Sequence, residues 1–202
     1  MADFINIQPF STPFFLIYNE YVGTFGLMKL FIKYGLWTGL ISGIWGIFCY
    51  TIVNWLNGAY FHKSIPAANI RSVSGLFSIL ILVVGIYWGI REEKRKAGNT
   101  INFGRAVKTG IMISAITAVL VSISTFVYCT MINPGYTDFM VRDAQQFLIE
   151  AGKSPEEIHQ RLVSVRKEFS TAAQVGMALV GQLVVGTIAS LIIGLLLRTK
   201  TK

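Results

Sequence analysis

"GIREEKRKAGNTINFGRAVKTG", residues 89–110, sets six basic side chains between two long apolar runs: Arg91, Lys94, Arg95, Lys96, Arg105 and Lys108. It is the one dense run of charge in a chain of 202 residues. Taken alone, such a stretch suits a nucleic-acid patch, a phosphate cradle, a catalytic loop or a membrane anchor. Its flanks decide between them. Ser72–Ile90 upstream and Thr109–Thr137 downstream contain no Asp, Glu, Lys or Arg, and the same holds for Tyr34–Phe61 and Ser170–Leu197. Each window is about long enough, at ~20 residues, to cross a hydrocarbon core roughly 30 Å thick. The expected fold is an all-α integral membrane protein, a four-transmembrane-helix bundle with spans at about 34–56, 72–90, 110–132 and 173–197.

The composition agrees. The chain is 53% hydrophobic and 14% charged, where a soluble domain carries about 25% charge. A net charge of +8 fits either nucleic acid or a membrane surface. A nucleic-acid-binding module would spread its basic residues over a folded soluble surface, and too little chain remains outside the windows to build one. Nucleic acid is therefore excluded as a partner, and membrane lipids are expected instead.

Counting Lys and Arg in the short loops gives the orientation. Lys29 and Lys33 precede span one, six basic residues join spans two and three, and Arg198, Lys200 and Lys202 follow span four. These three regions hold eleven basic residues on one side. The opposite side has Lys63 and Arg71, plus five more between spans three and four that are offset there by six acids. Both termini are expected to be cytoplasmic, with the opening stretch as the main cytoplasmic anchor.

The segment 133–170 is expected to be an external helical hairpin. Asn133-Pro134-Gly135 is a turn signal that stops span three. Gly152 sits where the C-cap of a first helix would want it. Ser154-Pro155-Glu156-Glu157 offers an N-cap, a proline at the first helical position and a capping-box glutamate. Ile158, Leu162 and Val165 then recur at helical spacing, and this second helix can run directly into span four. Between spans one and two, Tyr60, Phe61 and His62 suit a membrane interface. Residues 1–27 form a Phe-rich arm, interrupted by Pro9 and Pro13, that is expected to be interfacial or loosely ordered; with Asp3 and no early Lys or Arg it does not resemble a cleavable signal peptide. Residues 28–202 make up the membrane domain.

Within lipid, helices associate through small residues that let backbones approach. Span one carries Gly35, Gly39, Gly43 and Gly46. Span three carries Gly110, Ser114, Ala118 and Ser122, and span four carries Ala178, Gln182, Gly186, Ser190 and Gly194. These stripes are expected to pack the chain's own bundle or to dock a partner subunit. Gln182 falls near the midplane of span four, so its amide should face the bundle or a partner helix and be hydrogen-bonded. No Asp, Glu, Lys, Arg or His lies within a span core, which argues against a proton- or ion-coupled pump. Cys49 and Cys129 suit packing roles, and a disulfide between them would require their helices to touch.

Catalytic patterns fail. Lys108-Thr109-Gly110 and Ser164-Val165-Arg166-Lys167 imitate motifs of penicillin-recognising enzymes, but in reversed order and on opposite sides of the membrane. The phosphate-loop echo at Gly98–Arg105 lacks the required Lys-Ser/Thr ending. No metal-ligand spacing occurs, and no cofactor and no enzymatic activity are expected.

Three segments carry a family resemblance: "IKYGLWTGLISGI" at the start of span one, "GIYWGIREEKRKAGNTINFGRAVKTG" between spans two and three, and "IEAGKSPEEI" in the hairpin. In order and spacing they resemble the domain-of-unknown-function four-one-nine-nine family, four-span membrane proteins found mainly in Bacteroidota. The resemblance covers about residues 28 to 200 and implies an inner-membrane protein with no assigned activity and no site residues to carry over. Because family members are often encoded beside membrane glycosyltransferases acting on polyprenyl phosphates, it also implies such an enzyme as a partner. The function expected is therefore an accessory or scaffold subunit. It would meet a membrane or cytosolic partner, or a second copy of itself, through its small-residue faces and basic loop. The alternatives are a lipid or small-molecule conduit lined by Gln182, Ser190, Ser122 and Thr125, and an enzyme acting on a lipid carrier.

Overall fold

The computed structural model describes the backbone of residues 13–59 and 67–199, and the side chains of residues 28–52 and 75–199. The described residues are helical throughout, without strands. Helix α1 is Pro13–Ala59, α2 is Ala67–Lys96, α3 is Phe103–Val127, α4 is Tyr136–Glu150, α5 is Pro155–Glu168 and α6 is Thr171–Leu197. Four segments are long and apolar enough to cross a membrane: Met28–Ile52, Gly75–Lys96, Phe103–Ile132 and Thr171–Leu197. The expected Tyr60–His62 interface, Lys63, Lys200, Lys202 and residues 1–12 lie outside the described residues.

α1 is one continuous helix of 47 residues, about 70 Å long at 1.5 Å per residue. Its backbone is helical from Pro13, so residues 13–27 of the expected arm continue span one without a break. Proline at a helix start is compatible with this, because the N–H it lacks would have no intrahelical partner there.

The spans run alternately up and down. α3 is the central element, packed on α1 along one side and on α6 along the other, while α2 closes the bundle against all three. The bundle is thin. Only 28 to 33% of each span is buried, and Trp37, Leu80, Ile123 and Ile192 stand exposed. Such continuous apolar surface is costly in water and natural in lipid.

One end of the bundle carries the basic loop, the other the hairpin. At the basic end α2 terminates by a Schellman arrangement, in which the Asn99 N–H donates to Lys94 O at 2.9 Å and the chain reverses through Gly98 and Asn99, both at positive φ. Asn102 then caps α3, its side chain accepting from the Arg105 N–H at 2.8 Å. At the hairpin end, span three finishes in a π-type turn over Tyr128–Ile132, and Asn133-Pro134-Gly135 leads into α4. Gly152, at φ +68°, closes α4. Ser154 and Glu157 form the capping box of α5, with Pro155 in its first turn.

The structure corrects one expectation here. α5 does not run on into span four, because Phe169 and Ser170 interrupt the helix and Ser170 caps a new one. The carbonyls freed by the break are satisfied from outside. The Thr137 hydroxyl donates to Phe169 O at 2.9 Å and the Gln174 amide to Glu168 O at 3.0 Å. Tyr50, Tyr128, Tyr136 and Phe169 pack as an aromatic cluster beneath this corner, with Tyr50 and Tyr128 stacked at 5.0 Å.

Candidate functional site

The small-residue stripes are where the helices come closest. On α1, an added Cβ at Gly35 would meet Ile116 Cβ at 2.6 Å and one at Gly39 would meet Leu120 Cδ1 at 2.6 Å. Gly43 faces Ser124 in the same way. Between α3 and α6 the fit is reciprocal. Gly110 lies against Ser190, Gly186 lies against Ser114, and Gly194 lies against Val107 and Phe103. The serine hydroxyls turn back onto their own helices, Ser114 donating to Gly110 O at 2.8 Å and Ser190 to Gly186 O at 2.5 Å. This satisfies them where no water is available. Ala118 is fully buried on the same helix, and Ser122 donates to Val175 O at 3.4 Å. All of these positions are spent inside the chain's own bundle.

Gln182 stands apart. It is half-buried on α6, and among the described residues its amide has no hydrogen-bond partner. Cys49 and Cys129 do not form a disulfide, and Cys129 is buried.

At the basic end, the six cations divide into two sets, three bonded within the fold and three not, and two of the bonded three meet a pair of glutamates that the sequence reading passed over. The Glu93 side chain is 1% exposed and accepts from Arg105 Nε at 2.6 Å and from the Thr109 hydroxyl. Glu92 accepts from Lys96 at 2.9 Å, from Lys33 at 3.3 Å and from the Tyr34 hydroxyl. It thereby ties the start of span one to the end of span two. Lys94 reaches Leu197 O at 2.8 Å, capping the last turn of α6. Thr199 completes the closure, its N–H donating to Ile101 O at 2.9 Å and its hydroxyl accepting from the Ile101 N–H at 3.0 Å. Lys94, Lys96 and Arg105 are thus structural. Arg91, Arg95 and Lys108 are exposed and make no ion pair among the described residues.

The only advance signal for this arrangement is the acidic pair itself, Glu92-Glu93, set inside an otherwise basic run. Two carboxylates at the end of an apolar span need partners, and the neighbouring cations are the nearest source.

A four-span helical membrane protein with a charge-knotted basic end is therefore the class that fold and site define. The chain belongs to the family described as protein of unknown function (DUF4199), whose model matches residues 33–199. No curated protein and no solved structure matches it.

Proposed function

We propose that this chain is a non-enzymatic accessory subunit of the bacterial inner membrane, with both termini in the cytoplasm, that docks a second membrane protein through α6. The observation that carries this reading is Gln182. A carboxamide in mid-membrane without a partner is unfavourable, because hydrocarbon offers neither donor nor acceptor. A partner helix that hydrogen-bonds the amide removes that cost, and the small surface of the neighbouring Gly181, against which an added Cβ would meet nothing, lets such a helix approach.

Two further features support the reading. Arg91, Arg95 and Lys108 leave one end of the bundle positively charged towards headgroups or a partner's acidic surface. The two acids at that end are consumed in structural bonds, which leaves them unsuited to acid–base work. The conduit reading is less well supported, because two of its four lining residues are packed rather than open: Ser190 is fully buried against Gly110 and Ser122 is spent on Val175 O. A polyprenyl-phosphate glycosyltransferase, which the family resemblance implies, is the first partner to seek, with a second copy of the chain as the other.

The test is purification of the full chain in mild detergent, followed by mass spectrometry of bound proteins. A recurrent membrane protein that is lost on Gln182→Leu, with folding unchanged, supports the proposal. Equal recovery with the variant, or no recurrent partner, overturns it. For the orientation, an impermeant maleimide applied to intact cells should label Lys153→Cys and spare Thr100→Cys in a Cys49→Ala, Cys129→Ala background. The reverse pattern would invert the topology.

A further inference from the structure

Towards the hairpin end the bundle is not filled. A cavity of about 200 Å³ lies between α1, α2 and α3, touched by Ala178 of α6. Its wall includes Ser42, Gly46, Gly75, Ser78, Ser124 and Thr125, and the stacked Tyr50 and Tyr128 also line it. Gly46 and Gly75 differ from the packing glycines described above, because a Cβ added at either would meet nothing within 4 Å. They leave space without bringing helices together.

The chemistry of the wall is specific. Ser42 is 2% exposed, and its hydroxyl is the one buried side-chain oxygen or nitrogen among the described residues without a hydrogen-bond partner. In the cavity itself Ser124 donates to Leu120 O at 3.0 Å and Thr125 to Val121 O at 2.9 Å. Those two oxygens retain lone pairs, so the wall offers an unspent donor at Ser42 beside acceptors at Ser124 and Thr125. Among the described residues, no Asp, Glu, Lys, Arg or His lines the space. A phosphate or ammonium group there would be an unpaired charge in a low-dielectric site. The volume of about 200 Å³ exceeds both what one water needs and the roughly 150 Å³ of an apolar cavity that holds a small ring.

We propose that this cavity binds the uncharged head of a neutral lipid, a hydroxyl or ester group on an apolar body, with Ser42 donating to it. A glycerolipid without a phosphate supplies both the ester carbonyl and the free hydroxyl that this wall can match, and its acyl chains stay in the surrounding lipid. Phospholipids are rejected by the cost of bringing their charge past an uncharged wall.

Native mass spectrometry of the full chain in mild detergent tests this, with dioleoylglycerol and dioleoylphosphatidylglycerol added separately at equal concentration. The wild-type chain should retain one dioleoylglycerol and at least tenfold less of the phospholipid at this site. Gly46→Leu, which fills the cavity, should reduce dioleoylglycerol retention at least tenfold with an unchanged helical circular dichroism spectrum. Ser42→Ala should reduce it about tenfold, as expected for the loss of one hydrogen bond in an apolar site. If Gly46→Leu does not fold, Gly75→Leu serves the same purpose from the α2 side. The proposal fails if filled and open cavities retain the neutral lipid equally, if the phospholipid binds as well, or if neither lipid is retained and the cavity holds only water.

Discussion

Gly110 of α3 lies directly against Ser190 of α6, and one helical turn away Ser114 of α3 lies against Gly186 of α6. Each helix thus presents a glycine to the other's serine, and each serine hydroxyl is satisfied by the carbonyl of its own helix's glycine. An antiparallel pair with a small-xxx-small repeat on both partners produces this arrangement, since the repeat reads the same from either end.

The reciprocity makes a compensation test possible. Gly110→Ala sets a methyl group against Ser190 Cβ at 2.6 Å, and overpacking of this kind costs about 1–3 kcal/mol. Adding Ser190→Gly exchanges the two roles and should recover most of that loss. Thermal unfolding of the two variants in the same detergent measures it. A double variant no more stable than the single one would show that the contact is not the source of the cost.

The Glu93–Arg105 pair predicts an asymmetry. Arg105→Ala leaves a carboxylate that is 1% exposed without its cation, and breaking a buried pair from one side typically costs about 3–5 kcal/mol. Because Arg105 is itself 46% exposed, the lower end applies. Glu93→Gln keeps the acceptor for Thr109 and leaves Arg105 able to turn to water, so it should be the milder change. Denaturation midpoints of the two variants decide the order. Equal losses would mean that the pair is not desolvated in the folded membrane protein.

The capping box of α5 gives a pH signature outside the membrane. The Ser154 backbone N–H, then its hydroxyl and the Lys153 ammonium, hold the Glu157 carboxyl below its ordinary value of 4.5. The folded state therefore binds this proton less readily than the unfolded state. The cap's contribution is fully present above the unfolded value and is lost as pH falls through the lower folded one. Amide exchange of the first turn of α5, corrected for intrinsic rates, should be slow at neutral pH and accelerate below that window. In Glu157→Gln the protection should not change with pH, and a wild-type-like pH response in that variant would overturn the assignment.

Features set by neighbours in sequence were legible in advance. The apolar windows became the four spans, the Gly152 cap adopts positive φ, and Ser154 and Glu157 close their box. Each depends on residues within one helical turn. The missed features depend on distant ones. Glu92 meets Lys33 and Tyr34 across 59 and 58 positions, and Lys94 meets Leu197 across 103, so the six cations looked equivalent although the fold uses three of them. The cavity beside Ser42 was hidden for the same reason, since Gly46 and Gly35 are alike in sequence and differ only in what lies opposite. The break at Phe169–Ser170 did have a local signal, a serine directly before an apolar run, but continuous helical spacing on both sides masked it.

That division of the cations yields the last prediction. Replacing Arg91, Arg95 and Lys108 together with Gln removes three exposed charges that make no ion pair among the described residues. Such surface changes are individually worth no more than about 0.5 kcal/mol in stability, so the unfolding midpoint should hardly move. Replacing Lys94, Lys96 and Arg105 instead uncovers the α6 terminus, removes the cation paired with Glu93 and removes one of the two paired with Glu92, so that triple variant should unfold markedly earlier. Lipid binding should follow the opposite order. Each cation near an anionic surface contributes about 1 kcal/mol, or roughly fivefold in affinity. The first variant should therefore lose retained phosphatidylglycerol, read by native mass spectrometry, while its stability holds. If both triple variants lose stability equally, the exposed three are structural as well, and the charged face proposed for headgroups or a partner's acidic surface is lost with them.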